Sequence, residues 1–397
     1  MTDLINREPE HNPEPPKHPF ELGKWHESRG HFEEALECFK QGAINAIPSD
    51  SSSGSDNQNS ALSWIEYGRL STKLNKFEEA SSSFRQALTF GLPYTSLALA
   101  EWTAMLYKQG LQDSDIFHIL IEELPSHFIS PSVLGCALTN IGAYKEAIQC
   151  FNMTKFIDNK SAMMHARCLI NEGNLHEAVE MLNRLNHTFN PLDWLSDEDR
   201  SIIQHTLLLC EWRISGSRPN LKSSGYNLSK LARAALNLGM VAEAENILSS
   251  EGVAGEHTLI FLLYSEGYID LAITWLCQLS DSEAKSSELQ FIEAEQLYDE
   301  GNYEKASALF EKIRLAQPEH TNARFGEAAC YLQSALLSLS SRITRIDTQA
   351  SVKQQAIEYM KGINAALHIV ENTKWHTVWT LEQQRRRSTI KQTTLLN

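Results

Sequence analysis

One recurring pattern restricts the fold of this chain more than any other feature. An alanine, set in segments such as "FEEA" and "YKEA", returns at Ala35, Ala80, Ala147, Ala178, Ala244, Ala272 and Ala306. Four residues after each stands a large apolar residue: Phe39, Phe84, Phe151, Leu182, Leu248, Leu276 and Phe310. Three before each stands another, from Phe32 and Phe77 to Tyr303, and five before stands Gly30, Asn75, Gly142, Gly173, Gly239, Gly267 or Gly301. Twelve before is a small residue (Gly23, Gly68, Gly135, Ala166, Ala232, Ala294), with Ile260 as the one larger member. The intervals between the alanines are 45, 67, 31, 66, 28 and 34. Two of them are close to twice a period of about 33, so a degenerate copy is expected in each wide gap.

The physical meaning of the pattern is a helical hairpin. Apolar residues at three- and four-residue steps mark one face of a helix. The Gly or Asn between the halves suits a left-handed turn, where a Cβ is penalised. Small residues at the two aligned positions let helices approach closely, and the large residues fill the space beside them. A single hairpin cannot bury its apolar face, but stacked neighbours can.

The copy "WIEYGRLSTKLNKFEEASSSFRQALTFGLP", Trp64 to Pro93, carries Trp64, Tyr67, Gly68, Phe77, Ala80, Phe84, Ala87 and a final Pro. In this it resembles the tetratricopeptide repeat. The resemblance runs over roughly residues 18–336 and is weakest at 94–126, at 187–226 and beyond 336. It implies an all-α, right-handed superhelical solenoid of about nine to ten helix-turn-helix repeats.

The expected organisation follows. Residues 1–17 are polar and Pro-rich and read as a disordered N-terminal segment. An N-terminal array covers 18–186, interrupted at 49–60 by the loop insert "SDSSSGSDNQNS". Residues 187–226 form a degenerate repeat or hinge, with Ser196 and Asp199 at capping-box positions. A C-terminal array covers 227–371, and 372–397 is a capping helix with a basic tail, Trp375, Val378 and Trp379 sharing a helical stripe. The same stretch, with Arg385, Arg386 and Arg387, also reads as a docking segment.

Composition narrows the function. A formal net charge of −15 argues against nucleic acid as a partner, because phosphate binding needs a basic face. No apolar run reaches the roughly 18 residues of a membrane span, and the first twenty residues lack the apolar core of a secretory signal, so the cytoplasm is the expected location. Seven cysteines without a CxxC pair read as reduced core thiols. Phosphate-binding glycine loops, HExxH and GxSxG are missing, and the carboxylates of "HFEEALE" and "YEKAS" fall on outer helix faces. His165 and Cys168, one turn apart, have no further ligand pair nearby in sequence. Catalytic residues, metal and cofactor are therefore all expected to be none.

The resemblance implies that first helices line a concave groove. Cations stand at Lys24, Arg69, Arg167 and Arg233, with Lys73 nearby, and Asn recurs at Asn140, Asn171 and Asn237. Late in the chain the lining becomes Phe291, Glu295 and Asp299. Asn amides can pair with an extended peptide backbone, and Arg forks suit carboxylates. The expected function is a non-catalytic scaffold or adaptor for a protein or peptide partner with an extended or acidic segment. Two alternatives stand beside it: a peptide-sensing bacterial regulator, and a targeting module for a glycosyl-, sulfo- or methyltransferase.

Overall fold

The computed structural model describes residues 15–44, 54–91, 93–123, 130–154, 157–187, 196–221, 226–279, 285–344 and 350–386. The expected disorder of 1–17 falls almost entirely outside these residues, as do Arg387 and the tail beyond it. The described backbone is helical throughout, with no strand. Packing divides the chain into two compact units, 1–102 and 103–397.

The first unit holds α1 (Pro19–Ser28), α2 (Phe32–Ile44), α3 (Gly54–Lys73) and α4 (Phe77–Leu88), each packed on the next. Helix α5 (Tyr94–Lys108) contains the boundary. The second unit continues with α6 (Asp113–Glu123), α7 (Pro131–Asn140), α8 (Tyr144–Asn152), α9 (Asn159–Asn171) and α10 (Leu175–His187). Then come α11 (Asp197–Ser215), α12 (Leu228–Asn237), α13 (Val241–Leu248), α14 (Val253–Ser265) and α15 (Ile269–Gln278). The series closes with α16 (Ser287–Asp299), α17 (Tyr303–Ala316), α18 (Thr321–Ile343) and α19 (Ala350–Asn372). From α7 to α10, α12 to α15 and α16 to α19, successive helices pair as hairpins, the arrangement of a helical-repeat solenoid.

The repeat pattern accounts for this packing residue by residue. All seven aligned alanines are 0% exposed, and the apolar residue four positions on is at most 4% exposed. Each of the seven turn residues has positive φ, between 60° and 86°. Gly68 shows why the first small position is needed: a Cβ there would lie 2.6 Å from the Phe84 ring. The close approach of α3 to α4 therefore depends on the missing side chain.

Two stretches differ from the regular hairpin pattern. Of the insert 49–60, residues 49–53 lie outside the described residues, but α3 already begins at Gly54. Ser60 donates to the Ala43 carbonyl at 2.6 Å and both ends of the bond are buried, which fixes the start of α3 against the end of α2. In 187–226, expected as a degenerate repeat or hinge, the described residues contain one helix, α11. Ser196 and Asp199 form the reciprocal capping box of α11, and Gly216 at φ 67° ends it. Its Ile203, Leu209, Cys210 and Trp212 join one core that runs from Ala166 to Ile292.

A third irregular stretch, where the structure does depart from the expected capping helix, sets up the site. Residues 375–380 are not helical, and helix resumes only at 381–386. Trp375 is 2% exposed while Val378 is 76% exposed, so no common stripe forms. The backbone is held by other elements instead, as described next.

Candidate functional site

In the second unit the first helices α7, α9, α12, α14 and α16 place their C-terminal ends in a row, and the chain's own residues 375–386 lie along it. After α19 the chain turns at Lys374, φ 55°. Trp375 then enters the last core, edge-on to Tyr298 (5.2 Å between centroids) and to Phe310 (5.7 Å). Beyond it Glu295, itself 0% exposed, accepts the Thr377 N–H at 2.5 Å and the Thr377 hydroxyl at 2.8 Å. His376 pairs with Asp299 at 3.1 Å. Burial holds the Glu295 carboxyl above its ordinary value, although His376 and the Thr377 donors pull it down. Burial would lower His376, yet its bond to Asp299 and the Glu295 charge raise it overall.

The next grip is aromatic. The Trp379 indole N–H donates to the Tyr264 carbonyl at 2.9 Å, and the two rings meet edge to face at 5.2 Å. Thr380 and Gln383 then cap the short helix reciprocally: the Gln383 N–H donates to the Thr380 hydroxyl, and the Thr380 N–H to the Gln383 amide oxygen. The Gln383 amide reaches the Ser265 carbonyl at 3.2 Å.

Charge completes the docking. Glu382, 7% exposed, accepts from Tyr144 at 2.5 Å, from Arg167 at 2.6 Å and from Arg386 at 2.9 Å. Burial, then the Glu382 charge, push the Tyr144 phenol up. Arg386 donates to the carbonyls of Asn237 and Glu266, and Arg385 to that of Ile141. These carbonyls stand at the C-terminal ends of α12, α14 and α7, where helix carbonyls lack partners and the dipole is negative. Arg385 Nη2 also donates to both carboxylate oxygens of Asp113, at 2.7 and 2.6 Å. A row of helix C-termini is thus a ready acceptor for guanidinium groups, and Arg167 in its middle takes the one carboxylate.

The residues singled out from sequence fall into distinct environments. Arg167, Arg233 and Asn237 come together beside a cavity of about 930 Å³, also lined by Met163, Met164, Ile202, His205 and Lys230. Arg233 faces Glu266 at 3.4 Å. Asn237 contributes its backbone carbonyl to Arg386, whereas Asn171 turns its amide back to the Arg167 carbonyl at 2.9 Å, and Asn140 is exposed. Glu295 and Asp299 hold the C-terminal segment, while Phe291 packs edge-on to Phe310 within the core. In the first unit Lys24 lies 2.5 Å from Glu66, and Arg69 lies 2.6 Å from Glu66 and 2.5 Å from Glu27. Burial would raise the Glu66 carboxyl, but Arg69 and Lys24 hold it below its ordinary value. Lys73 sits over the Phe32 ring at 4.5 Å.

Several groups that matter were not legible beforehand. Asp113, Glu266 and the Tyr264 carbonyl sit in weakly patterned or turn positions. The one available signal was "TLEQ", Thr380 to Gln383, a capping-box sequence that announces a helix start in the tail. His165 stacks on Phe151 at 5.0 Å, and Cys168 lies 3.1 Å from the Thr139 hydroxyl. Among the described residues no group of three His, Cys, Asp or Glu is placed to hold a metal, and no helix is long and apolar enough to cross a membrane.

Residues 61–90 match the family described as tetratricopeptide repeat. That stretch covers most of α3 and all of α4, including Gly68, Ala80 and Phe84. Comparison with curated proteins gives no match.

Proposed function

We propose that this chain, whose residues 61–90 match the tetratricopeptide repeat, is a non-catalytic scaffold for other proteins whose second-unit row of first helices binds an extended segment of a partner. The observation that carries the reading is the grip on residues 375–386. The same row accepts a backbone N–H at Glu295, an indole at the Tyr264 carbonyl, a carboxylate at Arg167 and guanidinium groups at three helix ends. These are the elements of peptide recognition, with main-chain capture supplying affinity and charged pockets supplying register. Arg233, with half its side chain exposed beside the 930 Å³ cavity, offers a cation for an acidic residue of the partner.

The buried thiols fit a reducing, cytoplasmic setting. Burial pushes Cys150, Cys168, Cys210 and Cys330 up to about 12, so they pack as small apolar residues.

Site-specific photocrosslinking in the native host tests the reading. A benzophenone side chain in place of Arg233, on a first helix, should capture the partner. The same group in place of Glu180, exposed on the second helix α10, should not. A partner that co-purifies yet crosslinks only from position 180 contradicts the proposal.

A further inference from the structure

We infer that residues 375–386 are an intramolecular ligand, occupying the row until a partner segment of matching chemistry displaces them. The inference rests on the row being the partner-binding surface. It adds what the partner must look like, and that the chain competes with it.

The contacts define the competitor. The segment runs back along the array, from α16 at Thr377, past α14 at Trp379 and Gln383, to α7 and the start of α6 at Arg385. Its order is an aromatic anchor, a backbone donor, a second tryptophan, a carboxylate and then two arginines. A partner segment with an aromatic residue, and an acidic residue three and four positions before paired arginines, satisfies the same acceptors.

The polar character of its grips distinguishes this occupant from permanent core, although Trp375 and Glu382 are themselves buried. Val378 projects into solvent at 76% exposure, and past Trp375 the grips are mainly hydrogen bonds and ion pairs. Polar grips of this kind exchange for equivalent ones without leaving buried groups unpartnered, whereas a core helix cannot be swapped. An attached segment competes at an effective concentration in the millimolar range, which lowers a partner's apparent affinity in proportion to occupancy.

Gly267 supplies the specific lever. A Cβ there would stand 2.6 Å from the Gln383 carbonyl oxygen, and φ is 86°. Gly173 has the same turn conformation, φ 83°, with nothing within 4 Å of its notional Cβ. The two alanine substitutions impose the same backbone strain, but only one obstructs the segment.

The test uses the full chain and a fluorescent peptide with the sequence of residues 373–386. The unsubstituted chain should bind the peptide weakly, and Arg385→Glu with Arg386→Glu in the chain should tighten binding by on the order of tenfold or more. Adding Gly267→Ala to that double variant should abolish binding, while adding Gly173→Ala should not. If the double variant loses helical content, Trp379→Ala, which removes one anchor without reversing charge, should give the same ranking. Equal peptide binding by the unsubstituted and tail-weakened chains, or equal effects of the two glycine substitutions, overturns the inference. Neither result bears on whether a partner crosslinks at position 233, so this failure and that of the scaffold reading are separable.

Discussion

The first helices of the two units carry the same kind of cation and use it differently. In the first unit Lys24 and Arg69 are neutralised by Glu27 and Glu66, which stand on the same two helices. In the second, Arg167 is neutralised by Glu382, a residue 215 positions away. Each of the first-unit cations has a carboxylate three residues on or before it, whereas Arg167 has none at three or four residues on either side. An inward cation is therefore held by a distant part of the chain where its own surface leaves it unbalanced, and repeat position alone does not decide the matter.

Removing one carboxylate from each region breaks the comparison most sharply. Glu382→Ala takes the carboxylate from Arg167 and the Tyr144 phenol at a buried site, while Arg386 keeps its two carbonyl acceptors, and should cost about 3–5 kcal/mol. It should do so in denaturant unfolding, with the loss centred on the second unit. Glu66→Ala leaves Lys24 and Arg69, each more than a third exposed, to be screened by water. Its cost should stay below about 1 kcal/mol. Comparable losses from the two would remove the distinction.

A packing change should fall between these. Gly68→Ala forces the Phe84 ring to yield to a new Cβ and should cost about 1–3 kcal/mol. Faster amide exchange within α3 and α4 would register it.

The smallest expected effect is that of pH. His376 is held above its ordinary value of 6.5, and Glu295 above its ordinary 4.5, when the segment is docked. Both bind protons more tightly in that state, so the favourable contribution of His376 is complete below pH 6.5 and is lost as pH rises through its raised value. With His376 partly exposed and facing Asp299 and Glu295 on α16, the change should be under about 1 kcal/mol. It should appear as faster exchange of the 376–379 amides at pH 8 than at pH 6. Slower exchange at the higher pH, after correction for the intrinsic rate, would contradict the sign.

The fold was readable from sequence because its determinants are local and repeated. Gly68 and Phe84 lie within one hairpin, and each turn residue specifies its own backbone. The capping box of α11 was equally local. The site was readable only in part. Repeat position singles out Arg167, Glu295 and Asp299, but not the residues that contact them, which come from the far end of the chain. Trp375, Val378 and Trp379 have helical spacing, and only the tertiary acceptors Glu295 and the Tyr264 carbonyl draw the backbone out of helix. Acceptors made of helix-end carbonyls leave no trace in side-chain chemistry, so the arginine sites at Asn237 and Glu266 were invisible to residue type.

The central claim is that the second unit holds residues 375–386 on its row of first helices. Hydrogen–deuterium exchange on the full chain measures this directly. The account predicts that the Thr377 amide, bound to the buried Glu295 carboxylate, exchanges at least about a hundredfold more slowly than in the free peptide of residues 373–386. Exchange of the 375–386 amides at the free-peptide rate would contradict it.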